Sequence, residues 1–169
     1  MRCLSDIEVL SWLKEHSLSE PYKRNPQHEY FLQFYTPKSL KVLRSFVAAY
    51  WHLYLRERDV LVHMTDWSTY QESEMQSISK IRENLGETRW LIKSPGYHTT
   101  PDESNTAMQL FVLSVDYGWS SFLYPSSDRA ILFNWEGAIF DFWTNSKSDL
   151  ETLISLLDQF KIQQIKPAE

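Results

Sequence analysis

The 169-residue chain has one cysteine, Cys3, so no disulfide can close within it and no multi-thiolate zinc site can be built. Glycine is nearly as scarce. Four in the whole chain leave no glycine-rich loop to cradle a phosphate. The longest apolar run, residues 46–51, is far shorter than the roughly twenty residues a membrane helix needs. The start, Met1-Arg2-Cys3-Leu4-Ser5-Asp6, lacks the apolar stretch of a signal peptide, so the expected setting is a reducing cytoplasm with no membrane contact. Positive charge is also short: 17 basic against 22 acidic residues give −5. That balance argues against a nucleic-acid partner, because Lys and Arg supply such affinity by neutralising phosphates. It mildly favours a basic partner.

Catalytic signatures are missing too. The histidines, His16, His28, His52, His63 and His98, show no helical metal-ligand spacing, so no metal or cofactor is expected. Ser120 and Ser121 follow Gly118-Trp119 but lack the second glycine of a nucleophile elbow. Cys3 has no activating neighbour in the local sequence.

Aromatic residues are abundant, with seven Trp, nine Tyr and nine Phe. Tyr and Trp carry a polar tip that seeks water or a partner, so the excess reads either as an aromatic core or as a contact surface.

The pattern along the chain predicts an α+β fold. Ser5 and Glu8 form a capping box opening a helix through residue 16, and residues 21–27 are a polar connector. A strand over 30–35 precedes a helix starting at Thr36-Pro37, and residues 60–64 read as a central strand ending in a turn at 65–68. A weaker helix over 72–85 stops at Gly86, and a strand over 89–93 is broken by Ser94-Pro95-Gly96. Thr100-Pro101-Asp102-Glu103 opens a helix that Gly118 closes. A strand at 122–124 and a hairpin, 129–135 with 138–144, turn about Glu136-Gly137. Ser148 and Glu151 then cap a final helix to about residue 160. The expectation is one domain over 1–162 with a frayed tail over 163–169. Its sheet is mixed but mostly antiparallel, helices pack on it, and a C-terminal meander precedes the last helix.

Asp66 lies where the carboxyl end of a central strand could place a ligand, and with Arg89 and His98 it forms the sharpest enzyme hypothesis. The competing reading has Asp66 capping a turn. The hairpin is the densest aromatic region. Alternation there puts Phe133 and Trp135 on one face, and Ile139, Asp141 and Trp143 together on one face of the return strand. Trp67, Trp135 and Trp143 are the candidate partner-binding anchors, with Glu136 and Asp141 as acids around them.

Thr65-Asp66-Trp67, Arg89-Trp90-Leu91, Pro95-Gly96, Gly118-Trp119 and the hairpin tip Trp135-Glu136 together resemble an uncharacterised family of small bacterial proteins. The resemblance covers about half the chain, from Asp59 to Trp143. Where that family has His after Pro-Gly, this chain has Tyr97, with His98 one place later. The resemblance implies an immunity-type or adaptor role beside bacterial toxins. The leading expectation is therefore a non-enzymatic module that binds another protein, for example a basic toxin domain. A small-ligand binder or enzyme at Asp66, Arg89 and His98 is the alternative, and a structural subunit of a larger assembly is the third.

Overall fold

The computed structural model describes residues 1–23, 28–67, 72–127 and 130–165, with the backbone alone at 23 and 72–74. In chain order the elements are β1 (Arg2–Leu4), α1 (Asp6–Glu15), β2 (Tyr30–Tyr35), α2 (Leu40–Tyr54), β3 (Val60–Asp66) and α3 (Glu72–Asn84). They continue with β4 (Gly96–Thr99), α4 (Ser104–Asp116), β5 (Ser120–Pro125), β6 (Ile131–Trp135), β7 (Ile139–Thr144) and α5 (Lys147–Phe160). The strands form one sheet in the order β1-β4-β3-β5-β6-β7-β2. Every pairing between these strands is antiparallel. The α+β class, the central place of β3 and the C-terminal meander followed by a helix are as the sequence pattern implies.

Local chemistry explains most element boundaries. The Ser5 N–H donates to the Glu8 carboxylate at 2.7 Å and the Glu8 N–H returns a bond to Ser5 Oγ, which closes the expected capping box on α1. Gly86 (φ +69°) and Gly118 (φ +70°) take the left-handed conformation that ends α3 and α4. Thr100 and Glu103 form a second box, and one 3₁₀ turn, Pro101–Glu103, leads into α4.

Four expectations need correction. The helix expected from Thr36-Pro37 begins at Leu40, because the Thr36 N–H still donates to Ala138 O at 3.0 Å and extends the pairing beside β7. The strand expected over 89–93 is a 3₁₀ turn, Leu91–Lys93, and the strand falls instead at β4. The backbone there closes on itself, Lys93 N–H donating to Trp90 O at 2.9 Å and Ser94 N–H to Leu91 O at 3.2 Å, and the buried Arg82 guanidinium holds Ser94 O, Ser94 Oγ and Arg89 O. Ser146, not Ser148, caps α5, its Oγ accepting the Asp149 N–H at 3.1 Å. The β1 strand was not expected at all. Of the turn expected at 65–68, Thr65 and Asp66 close β3, while Ser68 lies outside the described residues, as does Arg129 ahead of β6.

The expected fraying does not hold for residues 163–165. Tyr35 N–H donates to Gln163 O and Ile165 N–H to Gln33 O, so residues 163–165 lie along the outer edge of β2. Residues 166–169 lie outside the described residues.

Two cores flank the sheet. On one side α2, α4 and α5 pack over Phe34, Val62, Leu123, Leu132, Phe140 and Phe142. On the other, Val9, Trp12 and Leu13 of α1 join Leu4, Leu61, Phe122, Tyr124, Phe133 and Trp143. A large side chain wholly removed from water contributes about 1.5–3 kcal/mol, so both faces are strongly held. α1, however, packs along β1 and β4, at one end of the sheet. At the far end, β6-β7-β2, the second face is covered only in part: Ile131, Phe133 and Trp143 are buried in the α1-side core, with Tyr22 of the 3₁₀ turn Pro21–Lys23 against them, while Phe31, Tyr35 and Trp135 stay exposed.

Candidate functional site

This partly covered face is built in rows. The pairing register sets Phe31 beside Trp143 and Ile131, Gln33 beside Asp141 and Phe133, and Tyr35 beside Ile139 and Trp135. Strand alternation points all nine side chains the same way, opposite to the buried Phe34, Phe140 and Phe142. Phe31 (54%), Tyr35 (48%) and Trp135 (40%) are well exposed, and Tyr22 (46%) lies over the middle of the face. Four half-exposed rings amount to about 400 Å² of aromatic surface, within the range of functional patches on monomers.

Asp141, 2% exposed, is the polar centre of this face. Its Oδ2 accepts from the Tyr22 hydroxyl and from Trp135 Nε1 at 2.7 Å, and its Oδ1 accepts from Gln33 Nε2 at 2.7 Å. Burial, and then the neighbouring carboxylate, push the Tyr22 phenol well above its usual range, so it stays a proton donor. The Tyr22 ring lies between Trp143 (centroids 5.0 Å apart), Phe133 (5.5 Å) and Trp135 (5.5 Å). It reaches this place from a single 3₁₀ turn, Pro21–Lys23.

The neighbouring hairpin tip is rigidly seated. Asn134, wholly buried, donates to Trp119 O at 2.6 Å and accepts the Gly137 N–H at 2.9 Å. Glu136 (φ +46°) and Gly137 (φ +70°) both have positive φ, as a type I′ hairpin turn requires. This fixes Trp135 at the rim of the face.

The sequence candidates therefore divide. Trp135, Asp141 and Trp143 share the face, and exposed Glu136 adjoins it at the tip. Trp67 lies elsewhere, its ring 4.9 Å from Trp119 at the margin of the helical core. Asp66, Arg89 and His98 are not brought together. His98 pairs with Leu61, five residues from Asp66 and so about 16 Å along the strand, and its Nε2 lies 3.0 Å from Asp59. Arg89 reaches Glu87 at 2.6 Å, Glu8 at 3.3 Å and Cys3 O at 3.0 Å at the outer side of β1. That contact holds the Glu87 carboxyl down at about 2. Burial pushes the Cys3 thiol up to about 11, which leaves it protonated and unreactive at neutral pH.

No family model, curated protein or solved structure matches this chain. The site therefore rests on its geometry. Among the described residues no three His, Cys, Asp or Glu side chains cluster to hold a metal ion, and no helix is long and apolar enough to cross a membrane. A groove of about 800 Å³ runs between the start of α2 and the end of α5 and contains none of Asp66, Arg89 or His98.

Sequence reasoning passed over Tyr22, Phe31 and Tyr35. Strand alternation puts Phe31 and Tyr35 of β2 on one face, but only the fold, with α1 packed on β1 and β4, shows that both stay exposed there. A smaller exposed pair, Trp90 (81%) and Ile92, borders a pocket of about 450 Å³ with Trp67 and Arg89. Among the described residues no aromatic ring stacks on Trp90 to organise it into a face.

Proposed function

We propose that the chain is a protein-binding module whose partner docks on the partly exposed aromatic face of β6-β7-β2. The observation that carries this reading is the row of half-exposed rings, Tyr22, Phe31, Tyr35 and Trp135, set on a rigid antiparallel sheet. Aromatic anchors on a preorganised scaffold deliver affinity with little ordering cost. Neutralisation of a basic toxin domain in the cytoplasm is the more specific form of the proposal. It draws on the family resemblance and on the net charge of −5, which would steer a cationic partner toward the face.

The test compares two surface variants. The tagged protein is used to isolate its stoichiometric partner, and affinity is then measured by calorimetry. Phe31→Ser with Trp135→Ser is expected to weaken binding by at least about 30-fold, the loss of one strong anchor. Trp90→Ser with Ile92→Ser is expected to leave it within about threefold. The reverse result would move the interface to the Trp90 loop and overturn the assignment to the sheet.

A further inference from the structure

Asp141 is a buried carboxylate that meets only neutral hydrogen-bond donors among the described residues. Its three hydrogen-bond donors, Tyr22, Trp135 and Gln33, are all neutral, and among the described residues no Lys, Arg or His forms an ion pair with it. Burying a carboxylate is costly, and neutral donors offset that cost only in part. The space above it is walled by aromatic rings. Seen from the Tyr22 ring, Trp143, Phe133 and Trp135 lie 5.0–5.5 Å away and Phe122 lies at 6.2 Å. Those distances fall around the roughly 6 Å over which a cation is attracted to an aromatic face. A carboxylate floor with aromatic walls is a receptor for a flat cation.

The occupant of that receptor is the chain's own Tyr22. This side chain stands 46% exposed on one three-residue turn, so a partner can reach the slot it fills. The two groups it engages by hydrogen bonding are the floor carboxylate and the Trp135 indole. We infer that the slot above Asp141 receives an arginine side chain of the partner, which takes the place Tyr22 holds in the free protein. Arginine fits better than lysine for a geometric reason. Its planar fork can bond both carboxylate oxygens while its faces stack on the rings, whereas an ammonium offers a compact, strongly hydrated point charge. The net charge of −5 and the exposed Glu136 beside Trp135 add to the attraction. This inference rests on the sheet-face reading and names the partner group that would dock there.

The test needs no partner. N-acetyl-arginine methylamide is titrated into the wild type, Tyr22→Phe and Tyr22→Ala, and the Trp135 indole N–H resonance reports occupancy because that N–H donates to Asp141. Tyr22→Ala opens the slot, while Tyr22→Phe keeps the ring and removes only the hydroxyl's two bonds, to Asp141 and from Trp135 Nε1. The expected order of affinity is Tyr22→Ala, then Tyr22→Phe, then wild type, with at least about tenfold between the extremes. The neutral norleucine analogue is expected to leave the resonance unmoved, and adding Asp141→Asn to Tyr22→Ala is expected to abolish the response. The inference is overturned if folded Tyr22→Ala gives no saturable shift, if norleucine acts as well as arginine, or if Asp141→Asn changes nothing. Should Tyr22→Ala not fold, Tyr22→Phe decides alone: binding no tighter than wild type overturns the slot. A silent titration removes the arginine slot and leaves the face to the calorimetry, whereas a responsive slot with unaffected partner binding removes the face.

Discussion

Gly137 is the residue on which the geometry of the aromatic face turns. Its φ is +70°, and a Cβ there would lie 2.3 Å from the carbonyl oxygen of Val115, at the end of α4. The hairpin tip is therefore pressed against backbone that cannot yield. Gly86 has nearly the same φ, +69°, but nothing within 4 Å of the place its Cβ would take. The two positions separate strain from collision. Gly86→Ala is expected to cost about 1 kcal/mol for the left-handed backbone, and Gly137→Ala about 3 kcal/mol or more once the clash is added. Urea unfolding measures both, and equal losses would mean that the tip is not held against α4. At this scale the sequence was informative where the signal was local. Alternation along the return strand placed Asp141 and Trp143 on one side and Phe140 and Phe142 on the other, because successive strand residues point to opposite faces. Tyr22 could not be placed in the same way. It lies 119 positions from Asp141, in a segment with no periodicity, and only the folded sheet brings the two together.

Among the elements, those that carried their own start and stop signals were legible. α1, with its Ser5–Glu8 box, and the Thr100–Glu103 box ahead of α4 are examples. The errors fell where two local signals competed. At α5 the spacing of Ser148 and Glu151 imitates a capping box, yet Ser146 is the residue still in extended conformation (φ −114°, ψ 116°) whose side chain meets the Asp149 N–H. Its own N–H is held by Thr144 Oγ1 at 3.1 Å, which turns the chain out of β7 in time for the helix to start at Lys147. Ser146→Ala is therefore expected to cost about 1 kcal/mol, and Ser148→Ala only a few tenths. Thermal unfolding of the two variants reads this directly, and a larger loss at Ser148 would return the cap to the sequence-based position. At β4 the competition was of another kind. Arg89 to Lys93 looks like a strand, but Gly96 is the position that can lie under α1, since a Cβ there would meet Val9 Cγ2 at 2.4 Å. Close packing between a helix and a strand selected the strand's place, and no local preference records it.

For the whole molecule, an open seven-stranded sheet has two edges, and each has a different cover. At β1 the Arg89 guanidinium bonds the carbonyl of Cys3 at 3.0 Å, placing a charged side chain on the edge backbone. At β2 the cover is residues 163–165, which take up the Gln33 carbonyl and the Tyr35 N–H. Edges left bare are templates for pairing with another chain, and charge or an overlying segment is how folded proteins block them. The second cover matters more for function, because β2 is both an edge and the strand that carries Phe31 and Tyr35 onto the aromatic face. Ending the chain after Ile162 removes two backbone hydrogen bonds, a loss of about 1–3 kcal/mol. It also leaves β2 free to pair with β2 of a second copy. The shortened protein is expected to fold, since Ile162 and the core beneath α5 remain, and to form dimers or larger species as concentration rises. Light scattering across a concentration series measures this, with the full chain as reference. If the shortened protein scatters as a monomer at every concentration, residues 163–165 do not guard the edge, and the twist of β2 or its exposed aromatic rings must already prevent pairing.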